Sequence, residues 1–355
     1  MRKLITAGAL ALAFPASVYA QEPDSTPRLT FGAFVDTYYA YDFGRPESHD
    51  RAFTTQAARH DELNVNLAHV AVQYASPAAR ARLALQAGTS VQVNYAFEPE
   101  EIAGQTNHLP LIQEATLGVA VTPSLWIDGG ILFSHIGSES WISIDNPVYT
   151  RSLPSEFAPY YQAGVRATWS ATPALTAQLN VFNGWQVLAE NNEDKAVGVR
   201  LDWTASPALA LSYSNFVGRE PHADTGDQDL RIFHDVSARF APSQQTTLIA
   251  TVDVGTQEGD TWYAGSIVGR HWITPTLGIN ARVERFDDEN GVVAPGLRTW
   301  GASVGADVAR GAAMWRTEAR FFSADDAIFP DRDADGGFSE TSTVLVTSLS
   351  IPLRL

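Results

Sequence analysis

A short proline turn recurs along this chain, and each copy separates two segments in which apolar and polar residues alternate. The turns are Ser76-Pro77, Thr122-Pro123, Thr172-Pro173, Ser206-Pro207, Ala241-Pro242 and Thr274-Pro275, with Arg310-Gly311 in the equivalent place near the end. Proline fixes φ and cannot occupy a central strand, so each copy indicates a tight turn. Successive prolines lie 33 to 50 residues apart, which leaves room for two strands of about ten residues and a longer loop. The sequence therefore predicts an array of β-hairpins.

The segments beside the turns have the period of two that is typical of a half-buried strand. In the segment 161–170, for example, an apolar set that ends at Trp169 alternates with a polar set that includes Gln162 and Arg166. Extending this pattern along the chain predicts sixteen strands, at 29–41, 62–75, 81–96, 111–122, 125–135, 160–171, 174–184, 196–205, 208–218, 231–241, 244–256, 261–273, 276–287, 298–309, 312–323 and 342–354.

A soluble β-sandwich and a membrane barrel would both alternate in this way, and two features favour the barrel. Aromatic residues lie within about four residues of the turn prolines, at Tyr74, Trp126, Trp169, Trp203, Phe240 and Trp272. A ring of such side chains at one height suits a membrane interface. The long loops also fall on the side away from the short turns. We therefore predict an all-β fold: a transmembrane antiparallel β-barrel of about 16 strands with short periplasmic turns and long extracellular loops.

The first twenty residues have the pattern of a secretory signal peptide. Arg2 and Lys3 precede a short apolar run, and a small-x-Ala cleavage site ends at Ala20. We predict a signal peptide at 1–20 and an outer-membrane barrel at 21–355, exported across the inner membrane of a Gram-negative cell. The longest uncharged segment, 167–189, holds Pro173 and several amides, so no helical membrane span is expected.

Composition excludes several other classes of protein. The net charge of −16 argues against nucleic acid as a partner, because phosphate binding needs a basic surface. The absence of Cys excludes a disulfide scaffold, a thiol nucleophile and a Cys-ligated metal. The mean hydropathy of −0.11 looks soluble, but in a barrel it averages a lipid-facing apolar set with a polar interior.

Charged residues on the predicted strands should face the lumen, because the outer face of a barrel meets lipid. Sixteen strands enclose an aqueous channel. The third long loop, about 136–159, is the candidate constriction by analogy with general porins; the alternative is an ordinary surface loop. We expect its charged residues to oppose wall arginines and create a transverse field. The predicted pore-lining residues are Glu139, Asp145, Arg151, Glu156, Arg166, Arg200, Arg239, Arg282, Arg316 and Arg320.

Three further patterns carry weaker predictions. Ser134-His135 resembles a hydrolase pair, but adjacent strand residues point to opposite faces, so no catalytic residue is expected. Asp331, Asp333 and Asp335, followed by Gly336, match the start of a calcium loop, although Ser342 replaces the glutamate expected at its twelfth position. No cofactor is expected, and calcium at this loop is the one alternative. The acidic segments 190–194 and 287–289 either bridge divalent cations to lipopolysaccharide or stay solvated.

Several segments, in the same order along the chain, resemble the OmpL-like β-barrel porin family of Gram-negative bacteria. They include Phe31-Gly32-Ala33-Phe34-Val35-Asp36-Thr37-Tyr38-Tyr39, Ser134-His135-Ile136-Gly137-Ser138-Glu139-Ser140, and the segments 53–56, 85–89, 183–186 and 326–330. The resemblance covers nearly all of the mature chain and implies an outer-membrane porin. Leu355 stands where such proteins commonly end in an aromatic residue.

The expected function is passive diffusion of small hydrophilic solutes or ions through the outer membrane. The expected partners are outer-membrane lipid, lipopolysaccharide and the solutes, with a homotrimer possible because sixteen-stranded porins are usually trimers. Two alternatives stay open. One is a non-conducting structural or adhesive barrel in which lumen charges of both signs pair and close the pore. The other, an outer-membrane enzyme, is disfavoured by the absence of a catalytic constellation.

Overall fold

The computed structural model describes residues 27–223, 225–294 and 296–354, so the predicted signal peptide and Leu355 lie outside the described residues. Sixteen antiparallel strands form one closed barrel in which each strand pairs with its neighbours in sequence. Numbered along the chain, the barrel strands are β1 (Arg28–Asp42), β2 (Leu63–Ala75), β3 (Ala79–Ala87), β4 (Ile112–Thr122), β5 (Leu125–Phe133), β6 (Tyr161–Thr172), β7 (Leu175–Phe182), β8 (Ala196–Ser206), β9 (Leu209–Pro221), β10 (Gln228–Phe240), β11 (Thr246–Gln257), β12 (Asp260–Thr274), β13 (Leu277–Asp287), β14 (Arg298–Arg310), β15 (Ala313–Ala324) and β16 (Thr341–Arg354).

The last strand closes the barrel against the first. β16 pairs with β1 from Gly32 opposite Arg354 to Asp42 opposite Val344. Closure leaves no strand edge unpaired, which is what a sheet needs in lipid, where water cannot satisfy backbone groups. The sixteen-stranded fold predicted from the alternation is therefore confirmed.

The seven proline- or glycine-containing turns join the strands at one end of the barrel, as predicted, and the connections at the other end are mostly long. One exception is the two-residue turn between β11 and β12. Its residues Glu258 and Gly259 both have positive φ, at 55° and 96°, the backbone of a tight hairpin.

The barrel is apolar outside and polar inside. On β15, Trp315 and Phe321 are 56% and 45% exposed on the outer face, whereas Arg316, Glu318 and Arg320 are buried on the inner face. An aqueous protein would have the opposite arrangement, since exposed apolar surface is unfavourable in water. In lipid the same arrangement removes apolar surface from water and keeps charges in the interior.

The third strand ends earlier than predicted. The alternation was extended to residue 96, but β3 ends at Ala87, and Gly88 turns the chain with φ 140° into helix α1 (Thr89–Asn94). Gly88 packs tightly on β2, since a Cβ built there would lie 2.3 Å from Asn66 O. Val91 and Tyr95 pack in an aromatic cluster instead of facing lipid. The prediction of strand for 88–96 is therefore wrong.

The remaining regular structure is short. Helix α2 (Leu153–Glu156) lies in the loop between β5 and β6, and 3₁₀ turns span Leu109–Leu111, Ser143–Asp145 and Asp335–Gly337. Two small hairpins pair Glu101–Ile102 with Gln105–Thr106, and Phe329–Pro330 with Phe338–Ser339. Among the described residues, no helix has the length and apolarity to cross a membrane.

The predicted aromatic ring is only partly on the outer face. Tyr74, Trp169 and Trp203 are exposed beside the short turns, as is Phe240. Trp126 and Trp272 instead face the lumen, where Arg80 and Arg270 lie over their rings at 4.5 and 5.3 Å from the centroids. The parity of each strand explains this, because Trp126 shares a face with Asp128, and Trp272 shares a face with Arg270.

Candidate functional site

The loop between β5 and β6, residues 134–160, is the candidate functional site, and we name it the lumen loop. Much of it is inaccessible to solvent. Val148, Tyr149, Thr150 and Leu153 are each at most 2% exposed. A 27-residue segment so deeply buried requires partners for its backbone polar groups. Those partners come from the inner wall of the barrel.

The lumen loop touches the inner wall on several sides. Ser143 Oγ donates to Asp36 Oδ2 of β1 at 2.8 Å. Ser138 Oγ lies 2.8 Å from Thr251 Oγ1 of β11, and the Leu153 N–H donates to Glu284 of β13 at 2.6 Å. Because the loop begins and ends at β5 and β6, its contacts with β13 and β1 on the other side of the ring mean that it crosses the barrel interior.

Arg316 of β15 holds the centre of the lumen loop. Its guanidinium donates to the carbonyl oxygens of Ser143, Asn146 and Pro147 at 2.8, 3.0 and 2.7 Å. Its Nε donates to Asp307 of β14 at 3.0 Å. Arg316 and Asp307 are 1% and 0% exposed. One buried cation therefore satisfies three loop carbonyls and one wall carboxylate, with the fork geometry that only arginine supplies.

A second buried group fixes Thr150 of the lumen loop. Glu318 accepts the Thr150 N–H and hydroxyl at 2.8 and 2.7 Å, and Arg282 donates to the Thr150 carbonyl at 2.6 Å. Arg282 also pairs with Glu284 and Glu318, at 3.1 and 3.3 Å, and Arg320 pairs with Glu284 at 2.8 Å. All four wall residues are at most 2% exposed.

Arg200 of β8 anchors the beginning of the loop. Its guanidinium donates to the carbonyls of His135 and Gly137 at 2.7 and 3.1 Å, and its Nε donates to Asp202. Four predicted pore-lining arginines, Arg200, Arg282, Arg316 and Arg320, thus contact the lumen loop, but chiefly through its backbone and Thr150. Among the described residues, no loop carboxylate lies within ion-pair distance of these arginines, but Glu139 and Glu156 are close enough to Arg282 to attract it.

The carboxylates of the lumen loop accept hydrogen bonds from residues of loops: from the lumen loop itself and from the first long loop. Glu139 accepts the Ser152 N–H and hydroxyl at 2.8 and 2.7 Å. Glu156 accepts the Thr55 hydroxyl of the first long loop at 2.6 Å. Asp145 accepts the Ser140 hydroxyl at 3.5 Å. These bonds fold the loop on itself and on its neighbour.

The remaining predicted pore-lining residues are Arg151, Arg166 and Arg239, and they have other surroundings than the four wall arginines that contact the lumen loop. Arg151 stacks over the Tyr160 ring at 3.4 Å and donates to Ser155 O. Arg166 of β6 donates to Asn180 and to Phe133 O, both at 2.8 Å. Arg239 of β10 is half-buried, and among the described residues it forms no ion pair within 4 Å.

Three wall arginines keep more solvent exposure than the arginines beneath the lumen loop. Arg80 and Arg82 pair with the buried carboxylates Asp128 and Glu114, and the two arginine side chains are 13% and 22% exposed. Arg270 is 17% exposed, lies 3.7 Å from Asp307 and donates to Asn146 O of the lumen loop at 3.3 Å. The stacking of Arg80 and Arg270 on tryptophans was not predicted. Arg270 and Trp272 share the parity of one strand, which is a signal for their contact, whereas Arg80 and Trp126 lie on β3 and β5 and leave no such signal.

Ser134 and His135 do not form a catalytic pair. The Ser134 hydroxyl accepts the Ile136 N–H at 3.1 Å, whereas His135 Nε2 donates to Asn215 O at 2.7 Å and its Nδ1 lies 3.0 Å from the Gln162 side-chain amide. The ring is fully buried, and burial lowers its pKa from 6.5 to about 4. His135 is therefore a buried, neutral side chain at the base of the lumen loop. Its partners, a side-chain amide and a backbone carbonyl distant in sequence, leave no sequence signal.

The three aspartates of the predicted calcium loop have separate surroundings. Asp333 forms an ion pair with Arg45 of the first long loop. Asp331 Oδ1 accepts the Asp333 N–H at 3.0 Å, and Asp335 begins a 3₁₀ turn. Within the described residues, no three acidic or histidine side chains converge as a metal site would require. Calcium binding at this loop stays a prediction.

The closed barrel, its apolar outer face and a loop folded across its lumen together define the class of outer-membrane porins. The comparison with protein families agrees with the architecture. The sequence profile of the family described as beta-barrel porin-2, OmpL-like, matches residues 28–353. The chain belongs to this OmpL-like β-barrel porin family, and the resemblance found in the sequence is confirmed. No curated protein matches the chain.

Solved structures with the same fold are outer-membrane channels of low sequence identity. The chain is similar to the outer membrane channel DcaP of Acinetobacter baumannii, at 12% identity with TM-score 0.61, covering 94% of this chain and 99% of that one. It is also similar to OmpT of Vibrio cholerae, at 9% identity with TM-score 0.58, covering 92% and 100%. A mutant of the Rh. blastica porin matches at 11% identity with TM-score 0.53, covering 92% and 100%.

Proposed function

We propose that this porin lets small hydrophilic solutes or ions diffuse passively through the outer membrane, past the lumen loop. The observation that carries the proposal is a charged inner wall with a loop folded across it. Charged side chains inside a barrel provide polar surface for solutes, and the loop restricts the space available to them. No catalytic constellation is found among the described residues, so the proposed role is transport without chemistry.

The residues around the loop also support a second candidate, a non-conducting surface barrel. Arg282, Glu284, Glu318 and Arg320 are buried and paired beneath the lumen loop. A lumen whose charges all pair in this way could be closed to solutes. The partly exposed arginines Arg80, Arg82 and Arg270 favour the conducting pore, because fully buried pairs would be expected along the whole length of a sealed barrel.

Planar-bilayer recording of the purified full-length protein separates the two candidates. Stepwise conductance increments are expected from the porin. Folding is checked first by the shift in electrophoretic mobility that heating produces in a native barrel. If protein that passes this check inserts into the bilayer and gives no steps, the non-conducting barrel is the better assignment. Reversal potentials in a salt gradient then give the ion preference of a conducting pore.

The proposed assembly is a homotrimer surrounded by outer-membrane lipid. One solved relative in fold, OmpT, is described as a trimer form. The exposed Tyr74, Trp169, Trp203 and Phe240 suit lipid headgroups at the short-turn end, and lipopolysaccharide would meet the end with the long loops. The mass of the detergent-solubilised protein, corrected for bound detergent, tests the trimer. A mass of one chain would exclude it under those conditions.

A further inference from the structure

Arg239 of β10 carries a positive charge that no other described residue balances. Its side chain is half-buried, and its buried Nε has no hydrogen-bond acceptor. Within the described part of the chain it forms no ion pair, and no carboxylate lies near enough to attract it. The nearest acidic residue on its own strand, Asp235, is four residues away, about 13 Å along a strand. Burying a cation without a counter-charge is unfavourable, so an anion supplied by the lumen would stabilise this position.

Arg270 of β12 lies in the same part of the wall, and its charge is only partly balanced. It is 3.7 Å from Asp307, but Asp307 also accepts a hydrogen bond from the Arg316 Nε at 3.0 Å. Arg239 and Arg316 are close enough to Arg270 to repel it. The Arg270 side chain is 17% exposed, whereas that of Asp307 is 1% exposed. This part of the wall therefore presents guanidinium groups to the lumen and has an excess of positive charge.

The opposite wall carries two further arginines that are more exposed than their carboxylate partners. Arg80 and Arg82 belong to β3, which lies across the sixteen-stranded ring from β10 and β12. The Arg80 side chain is 13% exposed and that of its partner Asp128 is 8% exposed. The Arg82 side chain is 22% exposed and that of its partner Glu114 is 4% exposed. A solute beside these pairs meets mainly the cation.

The four arginines lie at similar distances from the short turns. Arg80 and Arg82 follow the proline of the preceding turn by three and five residues. Arg239 and Arg270 each precede the proline of the following turn, by three and five residues respectively. Positive groups at one height on two opposite walls raise the electrostatic potential across the whole opening.

Accessible carboxylates near the lumen do not outweigh these arginines. Asp202 of β8 is 17% exposed, but it pairs with the fully buried Arg200, so the pair is neutral as a whole. Asp145 of the lumen loop is also exposed. These two carboxylates face four partly exposed arginines, of which Arg239 has no carboxylate of its own.

We propose that Arg239, with Arg270 beside it and Arg80 and Arg82 across the lumen, makes the short-turn end of the pore selective for small anionic solutes. This inference rests on the proposed porin function. The solutes expected to be favoured are oxyanions, because a guanidinium donates two parallel hydrogen bonds to a carboxylate or a phosphate. Arg239 is the specificity-determining residue, since its guanidinium is not engaged by another carboxylate.

Reversal potentials of the full-length protein in planar bilayers under a potassium chloride gradient test the selectivity. The wild type should have a chloride permeability several-fold above its potassium permeability. Arg239→Gln should lower this ratio clearly, because the charge is lost without stranding a carboxylate, and Arg239→Lys should retain most of it. Arg219→Gln is the matched control. It removes the same charge from an exposed ion pair with Asp194 and should leave the ratio unchanged.

Inorganic phosphate tests the preference for oxyanions. At constant ionic strength, phosphate should lower the chloride current of the wild type more than that of Arg239→Gln, because phosphate bound at the arginine delays chloride. Four results overturn the proposal: a wild type that prefers potassium, equal permeabilities for the two ions, an unchanged permeability ratio in Arg239→Gln, or equal effects of phosphate on both proteins.

Iodide quenching of Trp272 fluorescence reports the same charge without conductance. Trp272 faces the lumen with Arg270 over its ring, and its emission is isolated by subtracting that of the matching Trp272→Phe protein. Relative to neutral acrylamide, iodide should quench Trp272 more in the wild type than in Arg239→Gln, because positive charge concentrates the anion. Equal quenching would overturn this inference even if the channel conducts. Weaker quenching in the variant of a folded barrel that gives no conductance steps would overturn the porin function and retain the anion site.

Discussion

At the scale of single residues, the lumen loop is held by buried arginines that bind main-chain carbonyls. Arg316 illustrates the consequence. It is the shared donor for three loop carbonyls and for Asp307. A surface ion pair would contribute little to stability, but removing one partner of a buried pair leaves a charge without compensation.

We therefore expect Arg316→Ala to loosen the lumen loop and to destabilise the barrel by about 3 to 5 kcal/mol. Single-channel conductance should rise, and the denaturant midpoint should fall. In Arg316→Ala/Asp307→Ala, stability should partly return, because no buried carboxylate is stranded, while conductance stays high. Arg219→Ala, at an exposed pair with Asp194, is the control. Unchanged conductance in both Arg316 variants would contradict the anchoring role.

His135 gives the lumen loop a dependence on pH. Its pKa falls from 6.5 to about 4 in the folded chain because it is buried. As the pH falls, His135 therefore takes up a proton at a higher pH in the unfolded chain than in the folded chain. The stability contributed by neutral His135 is complete above pH 6.5 and is lost progressively as pH falls towards 4, by up to about 3 kcal/mol.

The measurement compares denaturant midpoints at pH 7.5 and pH 5 for the wild type and His135→Gln. The wild type should lose more stability than the variant on acidification, because glutamine cannot take up a proton. The two proteins differ only at residue 135, so the difference between the two slopes reports on His135. Equal slopes would mean that its burial is not coupled to folding.

At the scale of elements, the alternation of side chains predicted the strands because lipid on one side and polar surface on the other impose a period of two. It failed at 88–96, where Val91, Val93 and Tyr95 continue the alternation although the chain has turned into α1. The clustering of aromatic residues beside the turns, unlike the alternation, misplaced Trp126 and Trp272, since an aromatic residue beside a turn suits either face. The hydrogen bonds from wall arginines to loop carbonyls have no sequence pattern at all, because every residue has a carbonyl.

The turn from β3 into α1 depends on Gly88, and Gly104 provides a matched comparison. Both glycines have positive φ, at 140° and 74°. Of the two, only Gly88 has backbone atoms within 4 Å of the position that the Cβ of an alanine would occupy. Gly104→Ala should cost about 1 kcal/mol from its backbone conformation alone. Gly88→Ala should cost clearly more, because its Cβ would collide with β2. Tm values of the two variants provide the test, and similar losses would contradict the close approach.

At the scale of the whole molecule, the barrel wall and the lumen loop are stabilised by different means. The wall is closed by continuous strand pairing from β1 through β16, whereas the loop is held by side chains that the wall projects inward. A wall of this kind does not depend on the loop for its backbone hydrogen bonds. The wall should therefore persist when the loop is removed, with its charged side chains exposed to lumen water.

Replacing residues 139–155 with a short Gly-Ser linker should leave a folded barrel with a several-fold larger single-channel conductance and weaker ion preference. The reason is that the buried wall residues Arg282, Glu284, Glu318 and Arg320 would become solvated and the cross-section would widen. Deletion of the exposed hairpin at 101–106, which lies in another loop, should leave conductance unchanged. Heat-dependent electrophoretic mobility confirms folding in each case. A folded barrel without the lumen loop and with wild-type conductance would place the constriction elsewhere on the wall, with the Arg80–Asp128 and Arg82–Glu114 pairs as the candidates.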